Sequence, residues 1–198
     1  GYKRQVIVTI ENDPTLLEGG QHLAAKYPHN TTIVHMDKDG NYQVVFGTTL
    51  DQIPKGDLKV IINGHGNSDG ITDRSVEEIA KHIGVINKAV GNDSEIKKVS
   101  LIACRIGSEY PKRLLPELQK QGVNKTLVST RLGSIIVQSD GRKFVLEPTG
   151  EHSRKYRSNI LKETYAFDEK GDIVLVDSYT DEHYDLVLSA NKDGTPKI

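Results

Sequence analysis

Apolar positions along the chain switch between two spacings. Short unbroken apolar runs, the mark of strands buried on both faces, occur at Gln5-Val-Ile-Val-Thr-Ile10, Thr31-Thr-Ile-Val-His-Met36, Lys59-Val-Ile-Ile-Asn63, Lys98-Val-Ser-Leu-Ile-Ala103 and Thr126-Leu-Val-Ser129. Between them the spacing becomes helical. Asp13-Pro14 supplies an N-cap and a first-turn proline for a helix running to about Lys26, where Tyr27-Pro28 stops it. Ser75 with Glu78 forms a capping box, followed by an apolar face of Val76, Ile79, Ile83 and Ile86. A third helix is predicted over 111–121, ended by Gly122. Asp39-Gly40-Asn41 is a turn that folds 42–46 back on the preceding strand as a hairpin.

Strands alternating with helices predict an α/β fold, with helices on both faces of a largely parallel sheet. After Ile135 the pattern changes. Short strands are expected at 135–138, 142–146, 173–176 and 184–188, separated by turns. The chain therefore reads as a core over 1–134 and an antiparallel β-appendage over 135–198 of the same domain.

Composition narrows the chemistry. Cys104 is the single cysteine among 198 residues, which excludes an internal disulfide and a thiolate zinc cluster and fits a reducing compartment. No apolar run is long enough to span a bilayer, and Gly1-Tyr-Lys-Arg-Gln is not a signal peptide. No metal, nucleic-acid or membrane partner is expected. A net charge of −1 makes no case for a nucleic acid, but Arg142, Lys143, Arg154, Lys155, Arg157 and Lys162 fall close together. A local basic cluster in a neutral protein suggests a compact anion.

Two of the apolar runs end in reactive groups: Asn63-Gly-His-Gly66 and Leu101-Ile-Ala-Cys104. Parallel strands deliver their C-terminal ends to one sheet edge, where open α/β sheets place their sites. Each motif alone has a plainer explanation, since a lone cysteine on a strand is usually a small buried hydrophobe and Gly-His-Gly a tight turn. Together they set an imidazole beside a thiol, the needs of a cysteine nucleophile. The N–H groups of Cys104 and Gly66 can serve as oxyanion donors, and Asp13 can orient the imidazole of His65.

An apolar block ending in His-Gly and a second ending in Ala-Cys resemble the caspase-type cysteine peptidases. Gln5-Val-Ile-Val-Thr-Ile-Glu-Asn-Asp-Pro14, Asn63-Gly-His-Gly66, Leu101-Ile-Ala-Cys104 and Asp140-Gly-Arg-Lys143, in that order, resemble the inositol hexakisphosphate-activated cysteine protease domain of repeats-in-toxin proteins and large clostridial glucosylating toxins. The resemblance implies a caspase-like mixed sheet with a C-terminal β-flap. It implies an autoprotease that cuts its parent toxin polypeptide after leucine, in cis or in trans. The parent would be secreted by a bacterium as part of a larger protein, with the domain active in the host cytosol. Cys104 would be the nucleophile, His65 the base and Asp13 the orienting acid. Inositol hexakisphosphate would be held by Lys26, Lys59, Arg142, Lys143, Lys155 and Lys162. Six phosphates carry roughly −9 to −12 charge, which only a convergent basic set can hold.

The chain departs from this pattern at Ala103, where glycine is usual, and in having no tryptophan, with Thr149-Gly-Glu-His152 standing at the flap position that carries one. Two rival expectations are a caspase-like peptidase acting in trans under another activator, and an inert polyphosphate-binding switch.

Overall fold

The computed structural model describes residues 4–11, 13–67, 70–104, 106–132, 134–137, 139–149, 152–157 and 162–178; at 15, 67, 134–136, 144–149, 152–157, 177 and 178 it describes the backbone alone. In chain order the elements are β1 (Gln5–Thr9), α1 (Pro14–Ala25), β2 (Thr31–Met36), β3 (Tyr42–Phe46), β4 (Asp57–Asn63), two-residue strands β5 (Gly66–Asn67) and β6 (Gly70–Ile71), α2 (Val76–Val90), β7 (Glu95–Ile102), α3 (Glu109–Lys120), β8 (Leu127–Arg131), β9 (Ser134–Val137), β10 (Lys143–Thr149), β11 (His152–Arg157), β12 (Lys162–Phe167) and β13 (Ile173–Ser178).

Eight strands form the main sheet in the order β13-β12-β8-β7-β4-β1-β2-β3. The five central strands are parallel; β3 at one edge and β12 and β13 at the other are antiparallel. This is a caspase-like α/β fold. The chain leaves β1 toward β2, then returns to lay β4 on the other side, so strand order reverses between β1 and β4. Such a switch opens a crevice at the strand ends.

The parallel strands are apolar on both sides because both sides are covered. Val6, Val8, Val60, Ile62, Val99 and Leu101 share a core with Ile79, Ile83 and Ile86 of α2 and Leu114 and Leu118 of α3. The alternate residues Ile7, Ile33, Ile61 and Ile102 pack on Leu23 and Ala24 of α1 and on Val137 of β9. This period of two is the pleat of the strands. Both expected caps are present. Leu16 N–H donates to Asp13 Oδ1 at 3.3 Å, and Ser75 and Glu78 exchange bonds of 3.1 and 3.0 Å.

The C-terminal part differs from its expected form. β9, β10 and β11 form a separate three-stranded antiparallel sheet, the flap. β12 and β13 do not belong to it; they return to the main sheet, β12 pairing with β8. The strands over 152–157 and 162–167 have no counterpart in the sequence reading. Lys162-Glu-Thr-Tyr-Ala-Phe is a strand because a neighbour waits for it, not because its own pattern demands one. β7 begins at Glu95 rather than Lys98, α3 begins at Glu109, and β8 runs on to Arg131. The strand expected at 184–188 lies outside the described residues.

Candidate active site

Sheet register sets His65 beside Cys104. Asn63 at the end of β4 pairs with Ile102 at the end of β7, and Gly64 N–H donates to the Ile102 carbonyl at 3.4 Å. Each reactive residue stands two positions past that pair, on strands about 4.8 Å apart. Both border a pocket of about 360 Å³ whose other walls include Leu16, Asn63, Ile102 and Val137. The buried amide of Asn63, unremarked in the sequence, donates to the Leu16 carbonyl at 2.8 Å and ties α1 to the crevice.

The glycines around His65 are required by space. A Cβ on Gly64 would come within 2.8 Å of Ile71 Cγ2 and 3.0 Å of Ile10. On Gly66 it would meet Ile106 Cδ1 at 2.7 Å and both Ala103 Cβ and the Cys104 carbonyl oxygen at 2.8 Å. The residue after the histidine thus lies against the backbone of Cys104.

Asp13 does two jobs with one carboxylate. Oδ1 caps α1, while Oδ2 lies 3.2 Å from His65 Nε2. A proton on Nε2 donated to Oδ2 leaves the lone pair on Nδ1. Glu11, which sequence reasoning passed over, adds a second carboxylate 3.9 Å from Nε2. Among the described residues, Glu11, Asp13 and His65 bring one ligand atom each within 4.8 Å of one another. A metal ion there would occupy the ring nitrogen that the Asp13 bond uses.

A buried arginine ties the end of β1 to α2. Arg74 Nη2 donates to the Ile10 carbonyl at 2.7 Å, just before Asp13, and Nη1 donates to His82 Nε2 at 3.0 Å. Burial, helped by Arg74, pushes His82 down to about 4, which keeps it a neutral acceptor. The His65 carbonyl accepts from Thr72 N–H at 2.7 Å, and Thr72 has a left-handed φ of 55°.

A second site lies on the α1 side of the sheet, at the C-terminal end of α1. Lys59 of β4 is in register with Lys98 of β7, and Lys162 of β12 with Arg131 of β8, so all four project on one face. Lys26 and Lys143 join them around a pocket of about 210 Å³ that Lys59, Lys98, Tyr27 and Gly141 also line. The flap root is seated closely on α1 here, since a Cβ on Gly141 (φ 84°) would lie 2.7 Å from the His22 carbonyl oxygen and 2.8 Å from Lys26 Cβ.

Burial pushes Lys59 down to about 8, with Lys98 and Arg131 adding to the shift. It lowers Lys162 to about 7, with the same two neighbours contributing, and Lys143 well below its ordinary value, with Lys59 and Arg131 next. Arg131, 2% exposed, is itself lowered to about 10 by burial. Among the described residues, the neighbouring charges that lower these three lysines are cationic. Cations gathered in a partly desolvated place repel one another, and an anion is what such an arrangement fits.

Of the expected ligand residues, Lys26, Lys59, Lys143 and Lys162 are brought together. Arg142 stands apart from them: it is exposed, and its Nε donates to Asp140 Oδ2 at 2.6 Å. The backbone of Lys155 lies on β11 opposite Leu146, and its side chain is outside the described set. Lys98 and Arg131 are additions. The signal for Lys98 was its parity with Ile102 along one strand, a face shared with Lys59, Ile61 and Asn63.

A largely parallel sheet whose switch point carries a thiol and an imidazole defines an α/β hydrolytic enzyme of the caspase-like type. The chain belongs to the Peptidase C80 family, which residues 1–146 match, and is a peptidase. It is 27% identical over 190 residues to the Multifunctional-autoprocessing repeats-in-toxin of Vibrio vulnificus, and equally to that of Vibrio cholerae serotype O1 (strain ATCC 39315 / El Tor Inaba N16961). Each match covers 87% of this chain but only 4% of the relative's length. Among the described residues no helix is long and apolar enough to cross a membrane.

Proposed function

We propose that this chain is the inositol hexakisphosphate-activated cysteine autoprotease of a bacterial toxin or effector. Cys104 is the nucleophile and His65 its base. The thiol proton passes to the imidazole, the thiolate adds to the scissile carbonyl, and the oxyanion is held by the N–H groups of Cys104 and Gly66. On collapse the imidazolium returns the proton to the leaving amine, and water then hydrolyses the thioester. Asp13 holds the imidazole and stabilises its charged form.

The observation that carries this reading is the register of β4 and β7, which brings His65 and Cys104 to one pocket. Leucine before the cut is supported by the apolar side chains of Leu16, Ile102 and Val137 in that pocket. Inositol hexakisphosphate is supported by the gathered cations, with Lys98 and Arg131 joining Lys26, Lys59, Lys143 and Lys162 as its ligands. The parent polypeptide is the substrate, and the relatives named as toxins support its secretion by a bacterium and cleavage in the cytosol of a host cell.

The test is hydrolysis of a leucine-containing peptide with and without inositol hexakisphosphate. Turnover should require the polyphosphate and vanish in Cys104→Ala and His65→Ala. Turnover independent of it would favour a caspase-like peptidase with another activator. Turnover by Cys104→Ala at the wild-type rate would overturn the protease assignment.

A further inference from the structure

Three residues past Cys104, Gly107 is joined to the end of β8 through both of its backbone groups. Its N–H donates to the Arg131 carbonyl at 3.4 Å, and its carbonyl accepts from the Thr130 hydroxyl at 3.1 Å. Gly107 holds a left-handed φ of 82°, which glycine adopts without strain. Ile106, 3% exposed, continues the connection by packing its Cδ1 against Gly66. On the other side, Ser108 lies near the hydroxyl of Tyr165 on β12, which donates to Glu163.

The strands that hold this turn also carry the cation cluster. Arg131 on β8 and Lys162 on β12 are cross-strand partners, with Lys98 on the next strand, β7. The Arg131 guanidinium is buried; Nη1 reaches the adjacent Thr130 carbonyl at 3.4 Å, and Nε has no hydrogen-bond partner among the described residues. One end of β8 therefore carries a buried guanidinium with an unbonded Nε among the described residues, and the same two residues, Thr130 and Arg131, grip the turn that follows Cys104.

We propose that Thr130 and Arg131 are positioning residues that couple anion occupancy of the cation cluster to the Cys104 turn through Gly107. The proposal rests on the reading of the cluster as an activator site. Without an anion, like charges on three neighbouring strands oppose close approach of their ends. A bound polyanion removes that opposition, draws the end of β8 against β7 and β12, and fixes Gly107. The Cys104 turn is then held against Gly66. The route runs along the sheet and needs no flap tryptophan, which this chain lacks.

The experiment measures the rate of Cys104 alkylation by iodoacetamide in the full chain, with and without inositol hexakisphosphate, beside calorimetric binding of the same polyphosphate. Wild type should show a ratio of alkylation rates well above one. Thr130→Ser, which keeps the hydroxyl, should retain that ratio. Thr130→Val should bind the polyphosphate no more weakly yet lose tenfold or more of the ratio. Thr130→Ala should do the same; it removes the hydroxyl and puts nothing in its place, so it decides the matter if Thr130→Val fails to fold. An unchanged ratio in a folded Thr130→Val or Thr130→Ala protein overturns the coupling, as does a loss of binding in step with the ratio. A wild-type protein that fails to bind the polyphosphate instead overturns the activator reading on which the coupling rests.

Discussion

The Cβ of Ala103 lies 2.8 Å from the point where a Cβ on Gly66 would stand. The two residues occupy neighbouring loops, one just before Cys104 and one just after His65, and only one of them can carry a side chain. Glycine at 66 is what makes room for alanine at 103.

Gly66→Ala should therefore be disabling. The added methyl would meet Ile106, Ala103 and the Cys104 carbonyl oxygen, all inside 3 Å. Overpacking of this kind costs about 1–3 kcal/mol. Thermal melting should show that loss, and peptide hydrolysis should fall below detection because the two loops must part. Ala103→Gly in the same background removes one of the contacts and should restore part of the melting temperature. A simple sum of the two single effects would show that the residues do not press on each other.

Asp13 separates cap from charge. Asp13→Asn keeps a good N-cap, so the melting temperature should stay within a degree or two, while Asp13→Ala should cost about 1 kcal/mol. Both remove the carboxylate from His65 Nε2, and kcat should fall at least tenfold in each, about 1.4 kcal/mol or more in the barrier. Wild-type kcat in Asp13→Asn would reduce Asp13 to a helix cap.

The cation cluster gives stability a distinctive pH dependence. Lys59 and Lys162 titrate at about 8 and about 7 in the folded chain, against an ordinary 10.5. Between those limits the unfolded chain holds more protons, so stability rises with pH from about 7 toward 10. A bound polyanion favours the charged lysines, so binding takes up protons and affinity falls as pH rises through about 7 to 8. Melting temperatures at about pH 7 and pH 9 should rise for the free protein, and the shift given by inositol hexakisphosphate should shrink. Calorimetry in two buffers of different ionisation enthalpy should report proton uptake; equal enthalpies would show that the lysines bind already charged.

What the sequence shows depends on how far apart the cooperating residues lie. Ser75 and Glu78 are three residues apart, and their cap is legible without a fold. Asp13, His65 and Cys104 are legible because each ends an apolar run and parallel strands share an edge. Lys98 and Arg131 were not, because their convergence with Lys59 and Lys162 depends on the register of four strands at once. β12 escaped notice for a related reason: its burial comes from lying on β8, about 30 residues earlier, and its own residues carry no strict alternation. Glu11 is near His65 only because of how the chain enters α1.

The pairing of Asn63 with Ile102 has an evolutionary reading. The spacing of His65 and Cys104 is inherited from the hydrogen-bond ladder of two central strands, the least negotiable part of the molecule, whereas the proposed activator contacts come from strand ends, a helix end and the flap. Substitutions at those peripheral positions can retune which anion is sensed, and how tightly, without disturbing the chemistry. Ancestral versions of such a domain could have changed their trigger many times while keeping one blade.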